Sequence, residues 1–222
     1  MAQKISFFIV AFLLLAPCAG FSDDRPHFSF GFGGGAYRPK EYTRETVVRN
    51  HFGSWGTPEG RIEAGWVIHR LASLEASVGY IEAEKTYFET SERYPDILPA
   101  EGKYTLTVLP IDLSLIFRAD FFTDQVVIPY LGLGMDELYF NQEGKDRIWG
   151  WKWGSHALGG LRIFLNPLDP RHTGNLKAEY GIDGVYLDFQ AKYAVIYRHQ
   201  RSTPTGFDFS GWFFTASFLF EF

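Results

Sequence analysis

The chain has 222 residues, of which 18% are aromatic and 23 are glycine, and its 21 Lys+Arg against 26 Asp+Glu give a formal net charge of −5. An acidic balance without a basic run argues against nucleic acid as a partner. The one cysteine, Cys18, lies in the N-terminal leader, so the rest of the chain has neither disulfides nor thiolate metal ligands, and no cofactor is expected. In that leader Lys4 precedes an apolar run, Ile5 to Ala16, and then the small residues Pro17 to Gly20. This is the order of a secretory signal peptide, and the run is too short to span a bilayer as a helix. Cleavage after Gly20 is expected, giving a signal peptide over 1–20 and one exported domain over 21–222. Only Lys4 is lost as a charge, which leaves about −6. No later run reaches the roughly 18 apolar residues of a helical span, so any membrane passage must be a closed barrel.

Eight stretches alternate with a period of two, the signature of β-strands. The first sets Phe28, Phe30, Phe32, Gly34 and Ala36 against Ser29, Gly31, Gly33 and Gly35. After a polar stretch over 38–59, the second strand covers 61–70, with Ile62, Ala64, Trp66 and Ile68 on its apolar face. A tight turn near 70–73 leads to the third, 73–80, followed by a second polar segment over 82–103. The fourth, 104–118, opposes Ile111, Leu113, Leu115 and Phe117 to Asp112, Ser114 and Arg118. A short link over 119–124 joins the fifth, 126–140, where Leu131, Leu133 and Met135 oppose Gly132, Gly134 and Asp136. Beyond a loop over 141–148 the sixth, 149–165, and the seventh, 185–198, flank a link at 166–184. There Thr173 to Gly181 is expected to form one or two helical turns, capped by Thr173 and ended by Gly181. A last loop, 199–206, enters the terminal stretch 207–222, whose Trp212, Phe214, Ala216, Phe218, Phe220 and Phe222 share one face. Sixteen residues is long for a globular strand and suits a tilted membrane strand with its interfacial ends.

Alternation alone leaves open a soluble sandwich, or a soluble barrel with the apolar face inside. The polar face favours a membrane barrel, because it is mostly Gly, Ser and Ala with charges of both signs: Arg61, Glu63, Glu75, Asp112, Asp136, Arg162, Asp188, Lys192 and Glu221. Such a set fits the narrow lumen of an eight-stranded barrel, where buried charges must pair. Arg162 and Lys192 are expected against Glu75, Asp112 and Asp188, with Arg162–Asp188 the nearest cross-strand pair. Trp149, Trp151 and Trp153, with Tyr139 and Tyr87, read as an interfacial aromatic girdle. The reading is therefore all-β: an eight-stranded antiparallel up-and-down transmembrane barrel with both termini in the periplasm and the long loops outside. Its expected partners are outer-membrane lipid and lipopolysaccharide, and an unidentified external ligand at the loops over 38–59 and 82–103.

The successive segments LPIDLSLIFR (109–118), IPYLGLGMDELYF (128–140) and GSHALGGLRIFLNP (154–167), with a final strand ending in Phe, resemble the OmpW-like and opacity-like small outer-membrane barrels. The resemblance covers residues 105–222. The segment over 168–189 departs from the OmpW pattern and looks more like a set of outer-membrane barrel domains of uncharacterised function. Fold and compartment are what the resemblance implies, with transport of small apolar molecules left open. It also implies that Phe218, Phe220 and Phe222 form the C-terminal signal read by the barrel-assembly machinery.

Chemistry-bearing groups are sparse. His199 and Ser202, with Asp208 or Glu221 as carboxylates, stand three apart in a loop, whereas the lipid A deacylase family has its His and Ser two apart on a strand; nothing enforces contact between them. His156, among glycines, reads as a lumenal hydrogen-bonding residue rather than a metal ligand. No catalytic residue is assigned. The readings left are a structural or surface-interaction barrel, a narrow channel for small solutes, and a lipid A-modifying enzyme.

Overall fold

The computed structural model describes residues 28–40, 56–89, 100–122, 125–144, 147–196 and 208–222. The leader, His199, Ser202 and the Tyr87 side chain lie outside the described residues. Eight strands, β1 (Phe28–Pro39), β2 (Thr57–His69), β3 (Ala72–Glu89), β4 (Ala100–Arg118), β5 (Val127–Glu143), β6 (Ile148–Phe164), β7 (Gly184–Ile196) and β8 (Gly211–Glu221), pair with their chain neighbours, all antiparallel. Pairing of β1 with β8 closes the barrel. Along that seam Phe32 meets Phe218 and Phe220 at ring separations of 6.3 and 6.1 Å, and Phe28 meets Phe222 at 6.3 Å.

The ladder differs from the expected one in three places. The segment over 82–103 is mostly strand, paired from Glu82–Thr107 to Glu89–Ala100. Its period of two persists, with Ile81 and Ala83 inward and Glu82 and Glu84 outward; the outer face turns polar beyond Tyr80, and that polarity mimics a loop. The terminal strand has 11 residues rather than sixteen. Before it, Ser210 N donates to the Asp208 carboxylate at 2.9 Å and Tyr37 Oη donates to Phe209 O at 2.8 Å, turning the chain into the barrel mouth. In the link, a 3-10 turn (Asn166–Leu168) precedes helix α1 (Pro170–Tyr180). Its cap is Asp169 and not Thr173: Asp169 Oδ1 accepts from His172 N at 3.2 Å and Pro170 opens the helix, a stronger start signal than a threonine within the first turn. Gly181 ends it in the left-handed conformation at φ 69°, as expected.

The faces are inverted relative to a soluble protein. Leu131 is 70% exposed on the outer wall, while Arg162 and Lys192 are 1% and 0% exposed inside.

Candidate functional site

Among the described residues, charged side chains converge in the lumen. It fills from the end carrying the chain termini toward the end carrying the long loops, in three hydrogen-bonded groups and an apolar plug. Nearest the termini, Arg118 Nη1 donates to Glu221 Oε1 at 2.6 Å, and Tyr186 Oη to Glu221 Oε2 at 3.1 Å.

The second group centres on Arg162. Its Nη2 donates to both Glu75 oxygens, at 2.8 and 2.7 Å, its guanidinium lies 4.9 Å from the Tyr130 ring centroid, and Ser73 Oγ donates to Glu75 at 2.6 Å. Arg162 and Asp188 are in register, as expected, but Nε stands 3.9 Å from Asp188 Oδ1, beyond hydrogen-bond reach. Asp188 instead accepts from Tyr130 Oη at 3.0 Å. The expected nearest-neighbour pair is thus the looser one. An arginine on β6 is long enough to cross the narrow lumen, and Glu75 on β3 offers the two-pronged geometry that a guanidinium fits. Glu63 accepts from Ser217 Oγ at 2.7 Å.

The third group joins Arg61, Asp112, Lys192, Asp136, His156 and Ser114. Arg61 is hydrogen-bonded to Asp112, to Ser77 Oγ at 2.9 Å and to Gln190 Oε1 at 2.9 Å. Lys192 Nζ donates to Asp112 at 2.7 Å and to Asp136 at 3.2 Å. His156 has Nδ1 2.9 Å from Asp136 Oδ2 and Nε2 2.8 Å from Ser114 Oγ. Glycine makes the space for this ring: a Cβ on Gly134 would fall 2.5 Å from His156 Cε1. Serine, histidine and aspartate are connected here as in a nucleophilic triad. Yet the cavity beside Ser114, walled by Arg61, Glu75, Asp112 and Gln190, measures about 10 Å³, room for one water.

Above these groups, toward the loops, the inward face turns apolar. Tyr37, Ile81, Leu106, Val108, Leu138, Phe140, Phe209 and Phe213 pack into one buried cluster. Lys192 Nζ lies 4.6 Å from the Phe213 ring centroid and Lys152 Nζ 5.5 Å from that of Phe209. All nine expected lumenal charges, Arg61, Glu63, Glu75, Asp112, Asp136, Arg162, Asp188, Lys192 and Glu221, are buried inside. Sequence reasoning passed over the plug and Lys152. Parity carries the signal, since Leu138 and Phe140 share a face with Asp136, Phe213 with Glu221, and Tyr37 with the small residues Ser29, Gly31, Gly33 and Gly35 of its strand.

Outside, Trp149, Trp151 and Trp153 face outward as expected, with Trp151 and Tyr139 at 5.1 Å. Tyr193 and Trp212, at 5.0 Å, continue the aromatic row across β7 and β8.

No family model and no curated protein matches the sequence. Among solved structures, the outer membrane protein OprG from Pseudomonas aeruginosa superposes with a TM-score of 0.54 at 12% identity, over 89% of this chain and 97% of that one. Neisserial surface protein A gives 0.48 at 16% identity over 88% and 96%, and Escherichia coli outer membrane protein W gives 0.40 at 14% over 89% and 98%. The chain has the closed eight-stranded antiparallel barrel fold of OprG.

Proposed function

We propose that this protein is an integral outer-membrane β-barrel with a sealed lumen, whose role is structural or is exercised through the surface it displays outside. One observation carries the reading: Leu131, Leu133, Met135, Phe32, Ile62 and Trp149 are exposed around the wall while Arg162, Lys152 and Lys192 are among the largest fully buried side chains. In water that arrangement would expose an apolar surface far larger than a soluble monomer tolerates; in lipid, wall and lumen are each in their preferred solvent. The aromatic row then marks the outer interface, and the strand ends beyond Tyr80, with Glu84 and Lys103 paired at 2.6 Å, stand in water. Lipopolysaccharide and phospholipid are the lipid partners, and the ribbon of β3 and β4 with the neighbouring loops is the surface for an external ligand. The aromatic residues Phe218, Phe220 and Phe222 are the handle for the barrel-assembly machinery.

Packing of the plug over three buried, hydrogen-bonded charge groups argues against the channel reading. Room for a single water beside Ser114 argues against hydrolysis there. The test of membrane residence is electrophoresis of outer-membrane fractions with and without boiling. A fast unboiled band that slows on boiling is expected, and a soluble, unshifted protein would overturn the reading.

A further inference from the structure

We propose that helix α1, with Phe121 and Phe122 beyond the end of β4, forms an apolar foot resting on the phospholipid surface at the barrel's inner rim; this rests on the membrane reading above. Taken alone, α1 should not hold together. It has 11 residues, fewer than the roughly 12–15 that a marginal isolated helix needs in water. Gly174 sits in its interior with Thr173 and Asn175, all weak helix formers. Packing against the barrel does not compensate, since none of its described side chains is buried.

Its attachment is nevertheless firm. Asn166 holds both stems, Nδ2 donating to Asp183 O and Oδ1 accepting from Val185 N, each at 2.9 Å. Lys177 pairs with Asp183 at 2.7 Å, and Asp183 N donates to Glu221 O at 2.8 Å. A helix that is capped and clamped at both ends, yet has no described side chain buried against its own protein, needs packing from outside.

The surroundings name the chemistry. Leu168 and Tyr180, at the two ends of α1, are 80% and 66% exposed, and on the same rim Phe121 and Phe122 are 64% and 72% exposed. Val126, bonded through its carbonyl to Phe164 N at 2.8 Å, joins them to the apolar wall at Val127 and Leu161. The foot thus continues the lipid-facing surface around the corner of the barrel. The polar side chains of α1, among them Lys177 paired with Asp183 at 2.7 Å and His172 paired with Asp169 at 2.6 Å, lie at headgroup level beside this apolar surface, as in a helix lying in a membrane interface.

The test uses the chain's single cysteine. With Cys18→Ser, spin labels are placed by Leu168→Cys, Tyr180→Cys, Gly174→Cys and, on the wall, Leu131→Cys, in vesicles of phosphatidylethanolamine and phosphatidylglycerol. Gly174 lies on the side of α1 away from Leu176 and Tyr180 at 100° per residue. Collision with oxygen, relative to a water-soluble nickel chelate, is expected to be several-fold higher at 168 and 180 than at 174, approaching that at 131. Nickel-dominated signals at 168 and 180, with oxygen dominating at 131, would overturn the foot and leave the membrane reading standing. A nickel-dominated signal at 131 would overturn both. Labels at 168 and 180 shielded from both reagents would mean a protein partner in place of lipid, and would also overturn the proposal.

Discussion

At the scale of single residues, the lumen can be interrogated through Arg162, which has one tight partner and one loose one. Arg162→Ala removes a buried cation and strands Glu75, and is expected to lower unfolding stability by about 3–5 kcal/mol. Glu75→Gln breaks the paired contact with Arg162, whereas Asp188→Asn loses a 3.9 Å contact and keeps an oxygen to accept from Tyr130 Oη. Urea titration in detergent micelles should therefore show Glu75→Gln to be clearly the more damaging, and equal losses would refute the assignment of partners. Glu59 is the contrary case. It is buried on the inward face, neither carboxylate oxygen has a hydrogen-bond partner among the described residues, and Oε1 is aimed at Gly79, where a Cβ would lie 2.5 Å away. A buried acceptor without a partner costs about 1–3 kcal/mol. Glu59→Met keeps the length of the side chain and extends the apolar cluster, so its urea midpoint is expected to rise. These residue-level facts were half legible beforehand. Parity places the nine charges read on the polar face correctly, because a two-residue period cannot slip without exposing the whole set, whereas Glu59 was hidden in the polar stretch over 38–59. Which charge reaches which is settled across the lumen, by side-chain length and barrel diameter, and no spacing along one strand encodes that.

At the scale of elements, the strands were read where the outer face is apolar and the inner one small or charged, and lost where the outer face becomes polar. β3 and β4 illustrate this: beyond Tyr80 the outer wall carries Glu82 and Glu84 while Ala83 stays buried, so the pattern inverts in chemistry but not in period. Pro110 adds a further local disguise. It lacks an N–H, and the ladder between β3 and β4 skips Gly79 and Tyr80 opposite it. Helix α1 was legible at its Gly181 end and misplaced at its start, where Asp169 and Pro170 together outweigh Thr173. Its interior offers a direct check on the energetics, since nothing lies within 4 Å of a Cβ placed on Gly174. Gly174→Ala is expected to stabilise the helix by about 1 kcal/mol, read as roughly fivefold slower amide hydrogen exchange over residues 174–180, with the strands unaffected.

At the scale of the whole molecule, the proposed seal is distributed along the lumen. The plug of Phe140, Phe209 and Phe213 lies above buried charge groups that are themselves hydrogen-bonded to one another. Phe140→Ala with Phe209→Ala is expected to cost several kcal/mol in stability and still give no unitary conductance in planar bilayers; steps with the unaltered protein would refute the seal. The seam between β1 and β8 has a consequence for how the molecule is made. Ser29 pairs with Glu221, so the contact that removes the last open sheet edge is also among the most distant along the chain. Bringing such ends together carries the largest loop-closure cost and slows folding. Until β8 has arrived, seven strands present two unpaired edges with an apolar wall between them, a species prone to aggregate. A chain of this fold must be kept from collapsing until its final strand has arrived, and the stability of the finished barrel does nothing to shorten that wait.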